Sequence, residues 1–577
     1  MDKTLIIVGA GMSKSLGLPT TLDIYNTLKI LLDEEHYKSP SSLRQRLARI
    51  KEANVMFLDE WAEKDFVMAL SMLFDGDGAK NRMDADECRE HSLSEYCSLY
   101  QKYFPRANIN ALRLHLRYTF KQYSLTDLKA IMYSLKESSP ADEISIEKIL
   151  TTINKAIESN IAIPTNEIFP DERKVTRQLY YSDRNKLDGA LNTYKLLVYK
   201  LFKHSLRNMN TSLLSKYEDF FYRLAKDFSG LQTLDDVEKS SLRKNYLSPF
   251  AYLTYNWDPV LPFLGMKMNQ RLNRELLGQS HTGPCKKVYM DFGSPFAGIK
   301  LSDEYVESAV YSFSEDAAFL INAFTKDSYT ERYRDVKSKI LIKIIKLFVP
   351  HGLFNIRICP RCQNGFFIFP ENLGEMDFKD ISHMFCSDPI PSEADMAFIK
   401  KAGYEKVKPK YLKGLPDELD CPICEHPVYF SNSFVEIQSI VKPEKPSTMN
   451  KIYFDYGDFF SRAKHVVSLG YSFPKDDIMN SVYLDTMRIQ RKEPEIARAA
   501  KVTAVLFSTN RELLSKPWYY KVQEIRNIVG DADYEGISAA IKVLLNFFAE
   551  GNIRMNFMGF PSILDNVDIK DILIWNK

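Results

Sequence analysis

The first apolar run of the chain, Thr4 to Val8, shows no regular polar alternation and ends in Gly9-Ala10-Gly11. A continuous apolar run closed by glycines predicts a parallel strand buried on both faces that turns directly into a helix. From about Asp33 to Asn245 the pattern changes to helical periods. Ile146, Ile149, Leu150, Ile153 and Ile157 fall on one face, as do Leu191, Tyr194, Val198 and Leu201. Strand-like runs return at Phe250 to Tyr255, Ile342 to Val349, His465 to Leu469 and Val502 to Phe507, with helical stretches between them that include Ile537 to Phe548. The most polar stretch, Asp75 to Glu90, reads as a loop, and the sequence contains no internal repeat, low-complexity tract or long linker.

This alternation predicts an α/β fold: a Rossmann-like open parallel sheet with a large helical insertion and a small zinc-ribbon module. The expected division is 1–32 for the first part of the sheet, 33–245 for the helical insertion and 246–355 for the sheet continued with its candidate chemistry. Residues 356–430 form the zinc ribbon, 431–550 complete the sheet and 551–577 are a C-terminal tail.

Composition narrows the partners. With 577 residues and 45% hydrophobic content the chain can bury a large core. Lysine plus arginine total 77 against 75 acidic residues, so no bulk charge draws it to nucleic acid or an anionic membrane. The apolar start is too short for a membrane span and lacks the basic start and cleavage site of a signal peptide, so the expected location is cytoplasmic, with no membrane partner.

In a reducing compartment the cysteine spacing argues for metal and not for disulfides. Cys359-Pro360-Arg361-Cys362 is repeated as Cys421-Pro422-Ile423-Cys424, and two such knuckles supply four thiolates for a closed, structural zinc site. The segment Gly365 to Asp420 must then loop out, and Cys386, His383 or His426 are alternative ligands.

Gly9, Ala10, Gly11 and Ser13 stand where a strand turns into a helix, so backbone N–H groups can approach the phosphates of a nucleotide. The ordinary dinucleotide fingerprint would need glycine at Lys14, and a phosphate-binding P-loop would need it at Val8 and Ser13. The continuation through Ser15-Leu16-Gly17-Leu18-Pro19 resembles instead the G-A-G-x-S-x-x-x-G-[IL]-P opening of sirtuins. Further pieces follow in that family's order. Thr254-Tyr255-Asn256-Trp257-Asp258 resembles T-x-N-x-D, His351-Gly352 resembles the catalytic H-G, and the paired cysteines come next. Gly470-Tyr471-Ser472 then resembles the later G-x-S, and Val505 to Asn510 the strand that ends near the adenosine.

The resemblance implies that NAD is bound and its nicotinamide–ribose bond broken. Asn256 would orient water or ribose hydroxyls without titrating, Asp258 would accept from the nicotinamide carboxamide, and His351 would serve as general base. Gly470, Ser472 and Asn510 would join Gly9, Ala10, Gly11 and Ser13 around the cofactor. The acidic and arginine positions that follow the opening motif in deacylases are replaced by Thr20-Thr21-Leu22, which speaks against protein deacylation. The long helical insertion is similar to that of bacterial sirtuin-like anti-phage proteins. These deplete NAD in abortive infection and commonly assemble into oligomers, which implies for this chain a homo-oligomer whose activity is restrained until triggered, by the insertion or by a partner such as an ATPase or nucleic-acid-guided protein. The expected activity is therefore NAD hydrolysis to nicotinamide and ADP-ribose. A protein deacylase, or a nucleic-acid binder using the zinc ribbon and Lys401, Lys406, Lys408, Lys410 and Lys413, are the competing readings.

Overall fold

The structure, a computed structural model, describes residues 3–31, 60–73, 82–137, 146–160, 163–167, 178–182, 184–230, 246–247, 250–278, 288–292, 296–297, 310–313, 318–321, 342–368, 381, 388–401, 418–421, 423–435, 447–473, 500–515, 519–529, 537–573 and 575. Of the competing lysines, Lys406, Lys408, Lys410 and Lys413 lie outside the described residues, as do Cys386 and His383.

The first apolar run forms β1 (Lys3–Val8), with Leu5, Ile6, Ile7 and Val8 all 2% exposed or less. That burial on both faces is what a central parallel strand requires. In chain order the other labelled strands are β2 (Phe250–Thr254), β3 (Val288–Asp291), β4 (Val310–Phe313), β5 (Ala318–Ile321), β6 (Ile342–Phe348), β7 (Gly352–Ile358), β8 (Gly365–Ile368), β9 (Ser433–Val435), β10 (Ala463–Leu469), β11 (Lys501–Val505), β12 (Tyr520–Lys521) and β13 (Ile553–Asn556). The main sheet has the order β12-β13-β11-β10-β1-β2-β6-β3-β5-β4, with Tyr246–Leu247 pairing β6 beside it. Eight consecutive strands, β13 to β5, run parallel, and the two edge strands are antiparallel.

Register levels the carboxyl ends of these strands. Val8 pairs with Thr254 and Leu469, Leu253 with Phe348, and Val505 with Leu469 and Asn556. The chain places β2 and its successors on one side of β1, then returns to build β10, β11 and β13 on the other. The order therefore reverses at the β1/β10 boundary, and in open α/β sheets that boundary at the carboxyl edge is where ligands bind.

Helices cover both faces. The labelled helices are α1 (Ala10–Ser15), α2 (Glu60–Leu73), α3 (Arg82–Tyr103), α4 (Arg184–Arg207), α5 (Thr211–Gly230), α6 (Val260–Gly278), α7 (Glu393–Lys401), α8 (Ser447–Arg462) and α9 (Phe560–Asn566). One core joins α1, the helical insertion and α6 to one face of the sheet; the other packs α8 and the helix Ile537–Leu545 on the opposite face. Between residues 60 and 230 the described residues are mostly helical, with Ile149, Leu150, Ile153, Tyr194, Val198 and Leu201 buried.

Four local expectations need correction. The polar stretch Asp75 to Glu90 is helical from Arg82 onward. Its apolar period begins only at Leu93, Tyr96 and Tyr100, so the first turns of α3 give no pattern to read. The insertion also contains an antiparallel hairpin, Ile163–Glu167 with Gln178–Ser182. Residues 551–573, expected as a tail, are built into the fold: β13 pairs β11 within the sheet, and α9 buries Phe560 and Ile563. Finally, the span between the cysteine pairs does not simply loop out. It holds β8, paired with β7, and α7.

Helix α7 and the turn before it dock on the insertion through buried charge. Lys200 of α4 donates to Asp65 of α2 at 2.9 Å and to Asp388 at 3.1 Å; Lys203 reaches Asp388 at 2.8 Å and also Asp395; His204 Nε2 lies 2.7 Å from Asp65. Lys200, Lys203, His204 and Asp388 are no more than 1% exposed. Three carboxylates face Lys200, Lys203 and Arg207, so the cluster can be neutral without charging His204. Burial lowers the His204 pKa, which favours that neutral form.

Candidate functional site

The carboxyl edge gathers the residues singled out in the sequence. Gly9 directly follows β1 and donates its N–H to Leu469 O at 3.0 Å, while Gly11 donates to Gly470 O at 3.0 Å. The turns after β1 and β10 are thus joined backbone to backbone. A Cβ on Gly9 would lie 2.5 Å from Gly470 O, and Gly470 itself has φ +67°, a conformation in which glycine avoids the side-chain penalty. These glycines therefore serve a close turn-to-turn approach, with Ala10 and Gly11 exposed at its crest.

Below that crest, Ser13 Oγ donates to Asp258 Oδ2 at 2.8 Å and accepts from Asn256 Nδ2 at 2.9 Å. The network links α1 to the turn after β2 across 245 residues of sequence. Asp258 also caps α6, its Oδ1 accepting from Val260 N at 3.0 Å, with Pro259 next to it. Both carboxyl oxygens are therefore engaged, and Asp258 is 3% exposed. Burial, opposed by those hydrogen bonds, raises its pKa to about 6. Ser13 is equally enclosed, whereas Asn256 is half-buried, so Asn256 is the member of this network placed to meet a ligand.

His351 follows β6 by a short turn that reverses into β7. Gly352 N–H donates to Val349 O at 2.9 Å, and Gly352 has φ +69°. A Cβ there would sit 2.3 Å from Phe434 O, so the glycine after His351 lets β9 pack against the turn. Phe354 N–H reaches Trp257 O at 3.5 Å, a long link to the turn that carries Asn256. His351 is 2% exposed, with its ring 4.8 Å from that of Tyr255, the residue before Asn256.

Two expected cofactor residues stand differently. Ser472 is exposed just past Gly470. Asn510 Oδ1 accepts from Glu512 N at 2.9 Å, a local turn contact. Residues the motif reading passed over include Tyr217 of α5, whose hydroxyl lies 2.5 Å from Ser15 Oγ in α1, and Tyr255 itself. Tyr255 stands at the open position of T-x-N-x-D, so a motif search attaches no meaning to it.

The four paired cysteines come together. Cys359, Cys362, Cys421 and Cys424 hold their Sγ atoms within 4.8 Å of one another, with Cys359–Cys424 at 3.5 Å and Cys362–Cys421 at 3.7 Å. Tetrahedral zinc with Zn–S near 2.3 Å needs sulfurs about 3.8 Å apart. The two knuckles are also alike in backbone. Gln363 (φ +56°) and Glu425 (φ +57°) follow their second cysteines, and the first cysteine of each accepts from that residue's N–H at 2.9 Å. Burial pushes the Cys421 thiol up to about 12, so ionising it here calls for a cation such as zinc. His426 lies outside the cluster. A metal bound by all four sulfurs would have no open coordination position, and β7, which leads into the first knuckle, starts at Gly352.

Among the described residues no helix is long and apolar enough to cross a membrane. No protein-family model matches this chain, and a search of curated proteins finds no match.

Proposed function

We propose that this protein hydrolyses NAD to nicotinamide and ADP-ribose at the carboxyl edge of its parallel sheet. The observation that carries this reading is the convergence there of Gly9–Gly11, the Ser13–Asp258–Asn256 network, His351 and Gly470, at the point where strand order reverses. A dinucleotide laid across this edge meets a glycine crest on one side and, on the other, the neutral Asn256 amide and the buried His351 imidazole that packs against the neighbouring Tyr255 ring.

In the reaction the C1′–N bond to nicotinamide breaks as water forms the new C1′–O bond, and the proton of water passes to the base. Asn256 orients the water and ribose, and His351 takes the proton. Asp258 acts from within: its bond to Ser13 fixes the hydroxyl that accepts from the Asn256 amide, and so fixes which way that amide points. The metal centre is structural, stiffening the small four-stranded sheet of β9, β7, β8 and Phe296–Ala297, whose strand β7 leads directly out of the His351 turn. The setting as a triggered, oligomeric anti-phage effector belongs to the same proposal and rests on the sequence resemblance. The helical insertion touches α1 through Tyr217, a route by which it would restrain the site. Incubating the purified full-length chain with NAD, alone and with phage extracts, tests the reading. Release of nicotinamide is expected from wild type and not from Asn256→Ala; no release from wild type under any condition overturns it.

A further inference from the structure

We infer that Tyr255 is a positioning residue that sets the plane of the His351 imidazole; this rests on the NAD-hydrolase reading. His351 stands in a tight turn, where the backbone alone leaves the side-chain torsions open. The ring of Tyr255 packs against its ring, at 4.8 Å and tilted by 58°. Tyr255 is itself held at two further points. Its ring is stacked on that of Tyr471 at 5.2 Å and 26°, and its hydroxyl lies 2.8 Å from the hydroxyl of Tyr456 in α8. Tyr456 is 1% exposed and packs against Phe348 at the end of β6 and Phe460 of α8. Tyr471 follows Gly470 and packs on Phe473.

The ring that borders His351 therefore cannot turn without breaking a stack and a hydrogen bond. It is anchored to the sheet from three elements: the turn after β2, the turn after β10, and α8. Because Tyr255 directly precedes Asn256, the same anchor relates the imidazole to the amide with which it must cooperate. A general base displaced by about an ångström loses on the order of 100-fold in rate. The wall that prevents that displacement should show in turnover and not in ligand affinity.

The test is a double-substitution cycle on the full-length protein. NAD turnover and ADP-ribose affinity are measured for wild type, Tyr255→Phe, Tyr255→Leu, His351→Ala and the Tyr255→Leu/His351→Ala pair. Tyr255→Leu is expected to lower kcat by about 10- to 100-fold with ADP-ribose affinity and melting temperature little changed. Tyr255→Phe, which keeps the ring, should recover most of that loss. In the His351→Ala background Tyr255→Leu should cost nothing further, because its only effect passes through the imidazole. An equal loss in both backgrounds, or unchanged turnover in Tyr255→Leu, overturns the inference while leaving the NAD-hydrolase reading intact. Wild type inactive on NAD takes both down. Should Tyr255→Leu melt early, Tyr456→Phe, which removes only the hydroxyl anchor, must still lower kcat in the wild-type background and not in His351→Ala.

Discussion

Replacing Asp258 by asparagine should stabilise the protein near neutral pH and not in mild acid. The carboxyl is 3% exposed, hydrogen-bonded to Ser13 Oγ and Val260 N, and raised from 3.8 to about 6 by burial. Its folded pKa lies above its unfolded one, so the favourable contribution is fully present below about pH 4 and is lost as pH rises through about 6. Ionising it inside the fold therefore costs up to about 3 kcal/mol, at ~1.4 kcal/mol per pKa unit. Between about pH 4.5 and 7.5 the cost grows by roughly 2 kcal/mol on the same relation. Asparagine keeps the cap on Val260 but leaves the Ser13 hydroxyl without its acceptor, a pH-independent loss of about 1 kcal/mol. The difference in unfolding free energy between Asp258→Asn and wild type should thus swing by about 2 kcal/mol in favour of the variant from pH 4.5 to 7.5. Urea unfolding at the two pH values reads this directly, since every other titrating group cancels in the difference. The same variant should turn over NAD more slowly, because the Asn256 amide loses its fixed partner. A difference that does not move with pH would refute the assignment of a buried, raised carboxyl at this position.

Other substitutions probe the remaining parts. Wild type should carry about one zinc per chain by elemental analysis, and Cys421→Ser should lose it together with protease resistance of the small sheet; full retention of metal would refute the four-thiolate site. Gly9→Ala drives a Cβ to 2.5 Å from Gly470 O, so it should cost about 1–3 kcal/mol and most of the NAD turnover; normal activity would mean the two turns are not locked together. Lys203→Met leaves Asp388 and Asp395 short of a buried partner and should lower stability by about 3–5 kcal/mol, read as a fall in the urea midpoint.

The parts of the fold legible from sequence are those where local pattern and tertiary role coincide. Thr4 to Val8 reads as a buried parallel strand because both its faces are in fact covered, and the knuckles at Cys359 and Cys421 read as a metal centre because ligand spacing is local. The apolar runs that precede them placed Gly9, Asn256 and His351 at strand ends. They could not foretell that Asp258 would be closed off by Ser13 and Val260, since both contacts depend on how α1 and α6 meet. The first turns of α3 and the strand at Ile553 were missed for a shared reason: short or polar segments owe their conformation to what they pack on. The Lys200–Asp388 contact spans 188 residues and leaves no trace in any local pattern. Tyr255 was missed because its importance lies in three ring and hydroxyl contacts made by distant elements.

The most direct measurement of the central claim is product analysis by chromatography after incubating NAD with wild type, Asn256→Ala and His351→Ala, with and without an acylated peptide. The account predicts equimolar nicotinamide and ADP-ribose from wild type, no dependence on the peptide, no product from Asn256→Ala, and from His351→Ala only a residual turnover about 100- to 10,000-fold below wild type, the loss that follows removal of a general base. Nicotinamide released only when the acylated peptide is present, or NAD left intact by wild type throughout, would contradict it.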